Sequence, residues 1–215
     1  TPTLAPGSYV SIEGSALADS STSAGGPALP LSIGTTTVRV NGRPAALIAV
    51  APGHIEFLAP WEISGDRAVI TVTNNGVTSA EKFAPIVAAR PWLFAWPGTD
   101  ISVATHVNGA VVSGDAQAAP GESIDLLALG LGAIHPFPTT GSVLTSSENA
   151  HVAAAVAVRI GGVVAEVEGA WPLPGTSAAY GVRVRIPASL PAGLAVIEIT
   201  VGGQSGNTTR IPIQP

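Results

Sequence analysis

The sequence has no cysteine, which excludes a disulfide framework, a thiolate metal site and a thiol nucleophile. A cysteine-free chain suits a bacterial exported protein as well as a cytosolic one. Charge is also scarce: Asp, Glu, Lys and Arg together make 11% of 215 residues, against roughly 25% in ordinary soluble domains. That balance is the opposite of what a disordered chain needs. The nine Lys and Arg never cluster and the formal net charge is −5, so nothing resembles the basic stripe that grips phosphate backbones, and nucleic acid is not an expected partner. Hydrophobic residues reach 46%, but Gly, Pro or a charge such as Arg90 or Arg159 breaks every run well before the about 18 residues of a membrane span. No membrane span is expected. Aromatics are only 5%, and with 25 Gly, 19 Pro and no long apolar pattern of helical period, helices should be few.

What is present is repetition. APGSYVSIEG at residues 5–14 returns as APGESIDLLA at 119–128. After the first come TTTVRVNGRPAALIAV, HIEFLAPWEISG and RAVITVTNNGVTS. After the second come AVAVRIGGVVAEV, GVRVRIPASLPAG and LAVIEITVGGQSG, in the same order. The separation grows from 114 (Ala5 to Ala119) to 120 (Val38 to Val158) and then 127 (Pro60 to Pro187, Val69 to Val196). Insertions of six and seven residues in the second copy account for the drift; they fall in HPFPTTGSVLTSSENAH and AWPLPGTSAA, both rich in turn formers.

Each block reads as a strand. In GVRVRIP, Val182, Val184 and Ile186 alternate with Arg183 and Arg185, apolar to one face and charged to the other. Asn41-Gly42, Asn75-Gly76, Gly161-Gly162 and Gly202-Gly203 stand where tight hairpins need positive φ. Short strands with alternating burial predict antiparallel sheets packed face to face, hence an all-β chain of two tandem immunoglobulin-like β-sandwiches. The expected division is 1–87 for the first domain, 88–118 for an ordered linker with a hairpin at Asn108-Gly109, and 119–215 for the second. The linker is expected to open the second domain and to pack Trp92, Phe94 or Trp96 between the two, because a structureless loop of that length is unusual. Thr1 to Pro6 reads as the tail of a Pro-containing linker in a longer chain.

The pattern of Pro6-Gly7, Gly14, Val38 to Gly42, Ile55 to Pro60 and Val69 to Ser79 resembles the IPT/TIG immunoglobulin-like domain. The whole chain, including VATHVNGAVVS followed by AAPGESIDLLALGLGAIHPFPTTG, is similar to a C-terminal domain family at the ends of large secreted proteins of Acidobacteria. The resemblance implies the fold and a secreted or cell-surface location. That family has no established activity, so no catalytic residue carries over. Trp61 has no counterpart in the second copy, where Ala188 stands.

Chemistry is sparse. The closest approach to a Gly-x-Ser-x-Gly elbow, Gly203-Gln204-Ser205-Gly206, breaks at Asn207 and lies in a terminal hairpin. The four His never stand two or four apart, but His135 and His151 bracket the second copy's insertion with Glu148 nearby, so that loop is a candidate metal site. Asp115, Glu122 and Asp125 show no calcium-loop pattern. Glu166, Glu168, Arg183 and Arg185 are expected to form a cross-strand charge ladder. Trp92, Trp96 and Trp171 neighbour Pro in loops; they are candidates either for packing the junction or for stacking on sugar rings.

No enzyme and no cofactor are expected. The leading expectation is a non-enzymatic spacer, stalk or adhesion unit. A carbohydrate-binding module on the Trp loops is the alternative, and a hydrolase with an unfamiliar site comes third. A protein or polysaccharide surface is the expected kind of partner. Open sandwich edges further suggest self-association, or docking onto a longer parent chain.

Overall fold

The computed structural model describes residues 3–145 and 150–215. The chain is all-β, with no helix among the described residues, and no helix is long and apolar enough to cross a membrane. The first sandwich comprises β1 (Tyr9–Glu13), β2 (Thr22–Ser23), β3 (Thr37–Val40), β4 (Arg43–Pro44), β5 (Ala46–Ala51), β6 (His54–Leu58), β7 (Arg67–Asn74), β8 (Val77–Thr78) and β9 (Lys82–Pro85). One sheet runs β1-β6-β5-β2. The other runs β4-β3-β7-β8, with β9 also on β7. Val38, Val40, Leu47, Ile55 and Phe57 meet between the two sheets with no exposed surface, as period-2 alternation requires.

The rest of the chain forms β10 (Trp92–Leu93), β11 (Ala104–His106), β12 (Ser123–Leu129), the small ribbon β13 (Ile134–His135) and β14 (His151–Val152), then β15 (Val156–Ile160), β16 (Val163–Pro172), β17 (Ala179–Arg185), β18 (Gly193–Val201) and β19 (Gln204–Ile213). Its main sheet is continuous, β10-β12-β17-β16-β15-β18-β19, with β11 beside β10 on β12. The long β16 makes it continuous: Val163 to Ala165 pair with β15, and Glu166 to Pro172 pair with β17. In the first sandwich the same path is divided between β4 and β5 at Ala45, although Ala45 still donates to the Val38 carbonyl at 2.9 Å.

Pairing registers correspond under the separations read from the sequence. Tyr9 lies opposite Leu58, and Ser123, 114 residues on, lies opposite Arg185, 127 residues on. Val38 opposite Val72 is matched by Val158 opposite Ile199. Leu4 bridges Ile86 in parallel, and Ala118 bridges Ile213 in the same way. Leu4 is 1% exposed. It is therefore part of the first sandwich, and the expectation that residues up to Pro6 are linker does not hold from Leu4 onward.

Candidate functional site

Trp61 fills the junction between the sandwiches. It is 1% exposed and belongs to the same buried cluster as Leu126, Tyr180 and Val182 of the second sandwich, together with Ala46 and Leu58 of the first. Its ring meets Tyr180 edge-on at 6.4 Å, and Tyr180 donates to the Gly132 carbonyl at 2.7 Å. Gly7 makes room for it: a Cβ there would stand 1.9 Å from the indole. The second copy's insertions complete the seam. Leu29 donates to the Gly141 carbonyl at 2.8 Å, Thr140 donates to Glu62 at 3.3 Å, and the Ser177 hydroxyl donates to the Pro27 carbonyl. The two insertions also bond to each other, Leu144 to Thr176 at 2.7 Å and Gly175 to Leu144 at 2.9 Å.

The expected junction packing by Trp92 or Trp96 is not found. Trp92 is 55% exposed and Trp96 41%; β10 turns Leu93 inward, so alternation sends Trp92 to solvent. Phe94 is half-buried. Trp171 is half-buried too. Its indole lies over Gly181, where a Cβ would come within 2.8 Å, and the Arg183 guanidinium sits 5.4 Å from its ring centre. Trp92 borders an open cleft of about 580 Å³ whose other walls include Tyr9, Arg90, Gln204 and Ser205. Tyr9 is 41% exposed.

The linker is tied down by its backbone. Arg90 donates to the Gly130 carbonyl at 2.7 Å. A Cβ on Gly130 would lie 2.1 Å from the Arg90 carbonyl oxygen, and one on Gly132 the same distance from that of Ala88. Both glycines have positive φ, so the Gly-Leu-Gly of this stretch is set by close backbone approach. Asn207 closes the sheet between β10 and β19: its Oδ1 accepts from Leu93 N–H at 2.7 Å and its Nδ2 donates to the Leu93 carbonyl at 2.9 Å. The residue that breaks the hydrolase-like motif thus acts as a strand mimic, and neighbouring Ser205 is exposed.

His135 and His151 are brought directly opposite each other on β13 and β14, with ring centres 6.3 Å apart. Glu148, the third expected ligand, lies outside the described residues. Among the described residues no group of three or more His, Cys, Asp or Glu is placed to hold a metal. The expected charge ladder forms around Arg185, which reaches Glu166 at 3.1 Å and Glu168 at 2.6 Å, whereas Arg183 departs from it and forks onto Asp125 of β12 at 2.7 and 2.8 Å.

A further charged pair, His106 with Glu122, was not legible in the sequence. His106 Nδ1 lies 2.5 Å from Glu122 Oε1, while Glu122 Oε2 accepts from Ala119 N–H at 2.8 Å. The hydrogen bond that His106 donates to the Glu122 carboxylate raises the His106 pKa, against partial desolvation. Desolvation works on Glu122 in the opposite sense, but the Ala119 N–H and His106 outweigh it and lower its pKa. The pair clips β11 to the turn before β12. In the first sandwich His54 bridges Glu13 at 2.6 Å and Glu56 at 3.3 Å.

The fold and site define a tandem immunoglobulin-like β-sandwich protein. No family model and no curated protein matches the chain. Among solved structures it is similar to the Bacteroides ovatus mixed-linkage glucan utilization locus protein SGBP-B in complex with a mixed-linkage heptasaccharide, at 12% identity and TM-score 0.30 over 99% of this chain and 42% of that one. It is also similar to the titin Ig tandem A164-A165, at 9% identity and TM-score 0.27 over 99% of this chain and 90% of that one. A third is the S-layer protein SbsC, domains 5-6, at 11% identity and TM-score 0.23 over 97% and 81%. The chain thus spans less than half the length of the glucan-complex structure.

Proposed function

We propose that this chain is a non-enzymatic structural and interaction module of a secreted or cell-surface bacterial protein, built as 1–87, a connecting segment 88–118, and 119–215 as a repeat of the first. The observation that carries this reading is the junction: Trp61 of one sandwich lies inside the core of the other. A core shared in this way couples the two sandwiches mechanically and thermodynamically, which is what a spacer or stalk under load requires. Sandwiches joined only by a linker would move independently. Urea unfolding followed at Trp fluorescence and by far-UV circular dichroism tests it. Coincident single transitions support a coupled unit, and two separated transitions in the native chain refute it.

Exposure of Trp92 and Trp96 on one segment favours a second reading, a carbohydrate-binding role, since aromatic planes suit the CH-rich face of a saccharide. Titrating soluble polysaccharides against Trp fluorescence tests it. Binding that Trp92→Ala and Trp96→Ala abolish would favour it; quenching unaffected by both substitutions would remove it.

A further inference from the structure

The two sandwiches differ at the edge of their opening strands. In the second, β12 is covered: Leu127 donates to the Val103 carbonyl at 3.1 Å and accepts from Phe94 N–H at 3.0 Å, while Ala104 lies opposite Leu126 and His106 opposite Ile124. In the first, β1 occupies the corresponding place, and its only partner strand among the described residues is β6. The bonds of Ala59 N–H to Ser8 at 2.9 Å and of Gly14 N–H to Gly53 at 3.0 Å fix which groups face β6. Alternation along an antiparallel ladder then turns the N–H and C=O of Tyr9, Ser11 and Glu13 away from it, toward the open side. Glu13 is the residue 114 before Leu127. It stands at the position that in the second sandwich makes two strand bonds.

Side chains report the same vacancy in packing. Val10 and Ile12 are half-buried, whereas their counterparts Ile124 and Leu126 are 0% and 1% exposed. Edges left open in native proteins are ordinarily blunted by Pro, Lys or a bulge. The β1 sequence YVSIE has no Pro or Lys, and its register with β6 is unbroken.

We propose that the β1 edge is a docking site for an extended segment of another polypeptide, added antiparallel as a strand, with small apolar residues facing inward and a basic residue facing outward. The internal copy supplies the inward chemistry, since Ala104 there is 1% exposed. Charge supplies the outward chemistry. Glu13 and Glu56 flank the site and share His54 as their counter-charge, leaving the edge net negative. A second copy placed edge to edge would bring like charges together, which is unfavourable across strands. This deepens the interaction role proposed above by naming its surface, and its test is independent of the coupled-unfolding test.

The probe is a synthetic peptide of residues 101–112, ISVATHVNGAVV, carrying Thr105→Lys, compared with the same peptide carrying Thr105→Glu. Thr105 lies opposite Asp125, the counterpart of Ser11, so either substitution would stand beside Glu13 and Glu56. Amide exchange and chemical shifts of the intact 215-residue protein are followed by NMR. Slowing of exchange by tenfold or more at Tyr9, Ser11 and Glu13 is expected with the Lys peptide, with several-fold weaker binding of the Glu peptide. Ser11→Pro, whose missing N–H is one that faces outward, should abolish the effect; the two-peptide comparison decides the matter if that variant does not fold. The proposal is overturned if millimolar Lys peptide leaves these amides unchanged, if protection appears elsewhere, or if the two peptides bind equally. Concentration-dependent protection of the same amides in the free protein would overturn the choice of occupant and make a second copy the partner.

Discussion

The two sandwiches share their strand registers, and beyond the break between β4 and β5 three differences set them apart. The first carries Trp61 over Gly7, where the second has Ala188 and Gly121 with nothing near its Cβ position. The second carries two loop insertions, and its opening strand is covered by residues 92–106, whereas that of the first is bare. The first two differences are complementary: the large side chain of one half enters a core whose mouth is built from the extra loops of the other. The differences thus fall at the junction and at one sheet edge, while the pairing registers are kept.

Removing the asymmetry at Trp61 should have the largest effect. Trp61→Ala leaves a cavity in a shared core and is expected to cost about 3 to 5 kcal/mol; scanning calorimetry should then show the two halves melting apart. Next in size is Gly132→Ala, which drives a Cβ into the Ala88 carbonyl at positive φ. A loss of about 2 kcal/mol or more is expected by urea titration, from strain and displacement of the linker. Asn207→Ala unpairs both backbone groups of Leu93 and should cost about 1 to 3 kcal/mol. Its signature is faster exchange at the Leu93 amide with little change at Phe57.

The smallest effect is in pH. Because the folded pKa of His106 is raised above 6.5, its contribution is fully present below that value and is lost as pH rises through the folded pKa. Because that of Glu122 is lowered below 4.5, its contribution is present above 4.5 and lost as pH falls. The clip on the second sandwich should therefore be firmest between about pH 4.5 and 6.5. His106→Gln should flatten that dependence in thermal melts from pH 4 to 9; an unchanged profile would remove the clip from the account.

Strands and hairpins were legible because alternation and Gly-containing turns are local signals, and the pairing of Arg185 with Glu166 and Glu168 followed from alternation, but the pairing of Arg183 with Asp125 did not. The junction was not. Sequence shows that Trp61 is apolar but not which core it enters. Two signals were nonetheless present: Trp61 lacks a counterpart, and the insertions lie only in the second copy. Gly130 and Gly132, two apart at a strand end, also marked a close backbone approach. Of Trp92, Phe94 and Trp96, the candidates for the junction, Trp92 faces outward because Leu93 takes the inward position of β10, and Trp96 is exposed as well. His135 and His151, which bracket one insertion, lie opposite each other on β13 and β14. The bond from Asn207 to Leu93 spans 114 residues and leaves no local trace.

The central claim is that one ladder occurs twice with its opening edge covered once. Amide hydrogen exchange of the free protein tests it most directly. Tyr9, Ser11 and Glu13 should exchange within the dead time or close to it, while Asp125 and Leu127 are slowed by orders of magnitude. Equal protection at the two sets of amides would contradict the account.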